Sequence, residues 1–197
     1  MQKKYVNRNK LKKSSFHFSY VLYLVIREVY RLKIKIAFYK GPGDWKNRII
    51  RWWTKSPYSH AELIMADNFT WIGISPLLTS TVSARKKVDF DLENWDFSDL
   101  QITQEQSNII QEFYEDTEGS KYDWIGMLLS QFFPYNIKRK GKWYCSEWIA
   151  YALRISGVVD WRTIRIYDRC DLSPGVLYQI VQETKESQKP LDSGPGN

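Results

Sequence analysis

The chain has 197 residues, is 43% hydrophobic with nine tryptophans, and carries a net charge of +7. That length supports one domain with a real core and excludes a small scaffold that needs disulfides or metal to fold. Residues 1–35 hold ten Lys or Arg and one acid, a local +9 against the chain's +7, so the remainder carries −2; the domain itself lacks the basic face that a nucleic-acid binder needs.

The basic arm, residues 1–33, opens with a polar run to Ser15 and continues with an apolar run from Phe16 to Ile26, interrupted by His17 and Ser19. That run is too short to span a bilayer. Arg27-Glu28 follows it with no small-residue cleavage site, which argues against a signal peptide. Three readings stand: a helix packed on the domain, a poorly ordered extension, or a peripheral contact with an anionic membrane.

A domain is expected over 34–183. Ile34 to Tyr39 alternates as a strand, and Gly41-Pro42-Gly43 turns it. Asp44 caps a helix through Trp45, Ile49, Ile50 and Trp53, which Pro57 ends. Tyr58–Met65 and Phe69–Ser75 form a hairpin about Ala66-Asp67-Asn68. Pro76–Ala84 reads as a loop, and Lys86–Phe90 and Trp95–Ile102 as strands. Thr103 to Gln106 is a capping-box signature for a helix striped by Ile109, Ile110 and Phe113 and stopped by Gly119. A third helix is expected from Tyr122 to Pro134, and a fourth, with Cys145 at its start, to Gly157. Asp171 to Gly175 leads into a last helix through Val181, and a disordered tail is expected over 184–197. Strands early and helices late make the fold class α+β.

Two cysteines, Cys145 and Cys170, make no disulfide framework, and two histidines, His17 and His60, without CxxC or HExxH, make no zinc site. The cysteine usage fits a reducing compartment, so the expected location is cytoplasmic, peripheral to a membrane under the third reading of the arm. No cofactor is expected.

Cys145 carries the sharpest chemical signal. Trp148, Ile149, Ala152 and Ser156 follow it at helical spacing, which puts the thiol on the inward face and at the helix start. Unpaired N–H groups and the macrodipole there favour a thiolate. A nucleophilic thiol needs a base, and outside the arm the only histidine is His60. Strand alternation puts Tyr58, His60, Glu62 and Ile64 on one face and Ala61, Leu63 and Met65 on the other, so Glu62 is placed to orient His60.

With these pieces in this order, the chain resembles a permuted papain-like cysteine amidase of the NlpC-related superfamily, of the YiiX/YaeF type and including similar small tailed-phage proteins. The resemblance runs from about residue 34 to 157. It is carried by Ile36 to Tyr39, by Ser59-His60-Ala61-Glu62-Leu63, by Gly119 to Gly126, and by Trp143-Tyr144-Cys145-Ser146-Glu147. It implies a small antiparallel sheet or partial barrel packed against helices, a Cys–His pair with one polar partner, and chemistry on an amide, ester or thioester. The partner is Glu62 as the charged group on the His60 face, with Thr70 or Ser75 from the next strand as alternatives. The Cys145 N–H is a candidate oxyanion donor, and Tyr39, Trp45, Tyr58 and Trp143 are candidate pocket walls. The substrate class is a small peptide, amide or lipid. Three rival readings are a lipid-directed acyltransferase, similar to the lecithin:retinol acyltransferase group, a non-catalytic binding module that keeps the fold, and a structural protein whose Cys and His are there by chance.

Overall fold

The computed structural model describes residues 31–75, 80–86, 92–123, 141–160, 162 and 172–189. The chain divides into two compact units, Met1–Arg31 and Leu32–Asn197. The second starts just ahead of the expected boundary because its first strand, β1 (Leu32–Tyr39), begins at Leu32. The strands β2 (His60–Ile64), β3 (Thr70–Ile74), β4 (Val82–Lys86) and β5 (Trp95–Ile102) join it in a five-stranded antiparallel sheet ordered β4-β3-β2-β1-β5. Four α-helices accompany the sheet among the described residues, α1 (Trp45–Thr54), α2 (Gln104–Thr117), α3 (Cys145–Ile155) and α4 (Pro174–Ser187). The fold class is α+β.

Both faces of the sheet are buried. Alternation along β1 sends Ile34, Ile36 and Phe38 to one side, where they join Ala61, Leu63, Ile72, Ile74 and Leu100 under the helices α2, α3 and α4. The other side carries a smaller cluster of Ala37, Ile64, Trp71 and Trp95, flanked by Tyr39 and Phe97. His60 and Glu62 belong to this second side, because they stand opposite Tyr39 and Ala37 in the β1–β2 ladder.

Local chemistry sets the joints. Asp67 closes the β2–β3 hairpin by accepting the N–H groups of Phe69 and Thr70 at 2.9 and 2.8 Å and the Thr70 hydroxyl at 2.6 Å. Asn68 takes φ +63° there, which its short polar side chain tolerates. Thr103 and Gln106 complete the capping box of α2. The Asp44 carboxylate accepts the Asn47 N–H at 3.1 Å to start α1. Two short strands, β6 (Lys121–Tyr122) and β7 (Lys142–Trp143), pair in parallel, and the Asp123 N–H extends the pairing to the Trp143 carbonyl at 2.8 Å. This fixes the chain immediately before α3.

The structure corrects three expectations. Lys86 ends a strand rather than starting one: β4 occupies Val82–Lys86, beginning inside the expected loop, while residues 87–90 lie outside the described set. Small side chains hid it, since Ser83 and Ala84 pair with Gly73 and Ile72. Tyr122 lies in β6 rather than at a helix start, and most of that expected helix lies outside the described residues. The last helix runs to Ser187, so residues 184–189 are ordered rather than part of a disordered tail. Its polar side chains are tied to β5: Gln188 grips both the N–H and the carbonyl of Gln101 at 2.9 Å, and Gln182 donates to Ser98 at 2.6 Å. No helix among the described residues is long and apolar enough to cross a membrane.

The attitude of α3 depends on Trp148. It is fully buried, stacks on Phe113 at 5.3 Å, and donates its indole N–H to the Thr117 hydroxyl at 2.9 Å. Trp148→Ala is expected to cost about 3–5 kcal/mol in urea unfolding, the usual range for deleting a buried aromatic.

Candidate active site

Cys145 is the first residue of α3, behind Tyr144 at the N-cap in extended conformation. Trp148, Ile149 and Ala152 are fully buried on the same helix, and the thiol is 5% exposed. It sits where the helix N–H groups lack intrahelical partners. The N–H groups of Ser146 and of Ala61 in β2 are both directed at the sulfur. Helix start and strand thus supply a two-donor cradle for a thiolate.

His60 is the first residue of β2, so its ring lies at the rim of the sheet, where it can meet a group from the helix layer. The imidazole and the Cys145 thiol are hydrogen-bonding partners. Nε2 lies 3.0 Å from Glu62 Oε1, which leaves Nδ1 to exchange a proton with sulfur. The ring of Trp95 stands edge-on to His60, with centroids 6.3 Å apart.

Glu62 is 1% exposed, and its carboxylate is held from both ends. His60 takes Oε1, and Arg85 from β4 reaches both oxygens through Nη2, at 2.5 Å to Oε1 and closer still to Oε2. Space for the side chain comes from its neighbours. Ala37 stands opposite on β1, and a Cβ added to Gly73 would lie 2.9 Å from Glu62 Cγ.

The electrostatics follow from this geometry. Burial pushes the Cys145 thiol up, but the His60 cation and the N–H groups of Ala61 and Ser146 outweigh it and bring the thiol below its ordinary value. Burial pushes the His60 imidazole down, but the Cys145 thiolate and the Glu62 carboxylate overcome this and raise it to about 10. Burial pushes Glu62 up, and His60 and Arg85 reverse that and hold it below the usual carboxylate range. These couplings favour the charged forms in a row of alternating sign: thiolate, imidazolium, carboxylate, guanidinium.

The structure brings Cys145, His60 and Glu62 together. It gives no part to Thr70, whose hydroxyl is engaged by Asp67 in the hairpin turn. Ser75 is buried just past the end of β3, and the Glu62 carboxylate is taken up by His60 and Arg85. Of the candidate pocket walls, only Tyr39 stands beside the site, opposite His60. Tyr58 precedes β2 and turns away from the His60 face, packing on Phe38 at 5.3 Å and donating to Asp96 at 2.8 Å. Trp143 packs on Phe113 and Tyr151 among the helices, and Trp45 is exposed on α1.

Arg85 was not found from sequence, nor was the Ala61 N–H. A buried glutamate calls for a cation, but choosing Arg85 over Lys86 requires the β3–β4 register, in which Arg85 stands opposite Trp71. The sequence matches no protein-family model and no curated protein.

Three outcomes follow from this arrangement. Cys145 should alkylate with iodoacetamide at about pH 6.5, roughly two units below a free thiol's pKa of ~8.5. Glu62→Gln removes the negative charge that raises His60, so the His60 pKa falls, the thiol pKa rises, and the acid limb of the alkylation profile moves to higher pH. Arg85→Met should destabilise the fold by about 3 kcal/mol. That is the low end for breaking a buried ion pair, because Arg85 keeps some solvent contact; urea unfolding measures it.

Proposed function

We propose that the protein is a cysteine-dependent hydrolase acting on an amide, ester or thioester, with a permuted papain-like fold. One observation carries the reading: a buried thiol at a helix start is hydrogen-bonded to an imidazole whose other nitrogen is held by a buried carboxylate. A purely structural cysteine needs no such partner. Burial alone leaves a thiol neutral and inert, whereas here the surroundings act to ionise it.

The chemistry runs in two stages. In the first, the Cys145 thiolate forms a bond to the carbonyl carbon. The carbonyl oxygen takes the negative charge near the start of α3, where the Cys145 N–H is a first-turn donor. The tetrahedral species collapses, the bond to the leaving group breaks, and the proton on Nδ1 of His60 goes to that group. In the second stage neutral His60 takes a proton from water as the oxygen attacks the thioester. The acid is released, and thiolate and imidazolium are restored. Glu62 keeps Nε2 fixed and stabilises the cation at each stage, and Arg85 keeps Glu62 ionised. His strand first and Cys helix later is the permuted order, and the central antiparallel sheet with the thiol helix packed on β2 supports that fold reading.

An activated ester such as p-nitrophenyl acetate tests the proposal by intact-mass spectrometry. The parent protein should form an acetyl adduct on Cys145 that decays in water with release of acetate. Cys145→Ala should form none, and His60→Ala should slow acylation by about 10²–10⁴-fold. A folded parent protein that takes up no acyl group would assign the fold to a binding module.

A further inference from the structure

We infer that α1 is a docking surface for an anionic lipid bilayer. Its sequence, Trp45-Lys46-Asn47-Arg48-Ile49-Ile50-Arg51-Trp52-Trp53-Thr54, contains three basic residues and no acid. The helix is inverted relative to an ordinary surface helix. Its largest apolar side chains face outward: Trp45 is 66% exposed, Ile49 51%, Trp52 75% and Trp53 40%. Positions 45, 49, 52 and 53 fall within one arc of about 100° on a helix, the width of a stripe normally reserved for a core. The opposite side is the polar one and faces the protein, with Asn47 8% exposed.

This polar side is a built anchor. Arg51 donates to the carbonyls of Lys40, Gly41 and Pro42, and Asn47 donates its side-chain amide to Asp44 at 3.0 Å. The anchoring holds α1 with its tryptophans outward, so their exposure is a consequence of specific bonds. Arg48 is exposed beside the stripe, and Lys55 is exposed just past the helix end with φ +48°.

Charge complementarity selects the occupant. An apolar arc with exposed Arg48 beside it and Lys55 just past its end, on a helix without an acid, suits a surface that is apolar within and anionic at its boundary. Tryptophan is the side chain that partitions best to the headgroup level of a bilayer. A second copy of the chain would set the same cations against each other. The surface is distinct from the N-terminal arm and does not depend on the chemistry assigned to Cys145. Its position in the chain, leading through Lys55 to Ser59 into β2, would set the His60 strand close to the lipid.

The full chain should co-sediment with vesicles of phosphatidylglycerol and phosphatidylcholine in equal parts, and added salt should weaken this. The triple variant Trp45→Ser, Ile49→Ser, Trp52→Ser should lose at least about tenfold in vesicle affinity while keeping the parent's Cys145 alkylation rate, which reports an intact site. Arg48→Glu, a single exposed change, should weaken binding to these vesicles if the triple variant fails to fold. Three results would overturn the proposal: a parent that does not bind, a folded triple variant that binds like the parent because the arm is the contact, or a parent that dimerises in sedimentation velocity through this face without binding vesicles.

Discussion

A carboxylate removed from water must be neutralised, and Glu62 imposes that requirement on everything around it. At 1% exposure it draws Arg85 from β4 and His60 from the start of its own strand. It also restricts its neighbours in size: Ala37 on one side and Gly73 on the other leave the room that a larger side chain would fill. Arg85 and Glu62 alone would form a closed ion pair, and His60 with Cys145 would form another. Linking them through the shared carboxylate sets two acidic and two basic groups in one row, which is how a polar array persists between two apolar clusters.

The site also depends on the sheet being covered on both sides. The thiol comes from the helix layer and the carboxylate from the opposite face, and they meet at the rim because β2 begins at His60. A histidine one position further along would point to the wrong side, and one two positions further along would lie over the middle of the sheet, away from the helix start.

Much of this was legible in the sequence because it is local. The Thr103 capping box, the span of β5, the Asp67 turn and the start of α3 at Cys145 each follow from a few adjacent residues, as does the shared face of His60 and Glu62. What was not legible required partners distant in sequence. Strand β4 has no hydrophobic alternation of its own, and its small residues fit only because Gly73 and Ile72 lie opposite. Arg85 became a site residue through that pairing. The end of α4 has a loop-like composition, yet its glutamines bond to β5 eighty-odd positions away. In α1 the spacing of Trp45, Ile49, Ile50 and Trp53 marked the helix, but it did not include Trp52 or say which way the apolar side faces; Arg51 and the carbonyls of Lys40, Gly41 and Pro42 decide that.

The hairpin between β2 and β3 carries a further implication. Its geometry is written in three bonds to one exposed aspartate, Asp67, with Lys35 steadying Asn68 from the neighbouring strand at 2.6 Å. Those bonds set how β3 slides along β2, with Leu63 against Ile72 and Ile64 against Trp71. Shifted by a single step, Ile72 or Ile74 would take the place of Gly73, and Glu62 would have nowhere to lie. The glycine is useful only in frame. An exposed loop at the far end of the strand from His60 therefore acts as the alignment pin of the Glu62 array, and damage to it would displace that carboxylate before it undid the fold.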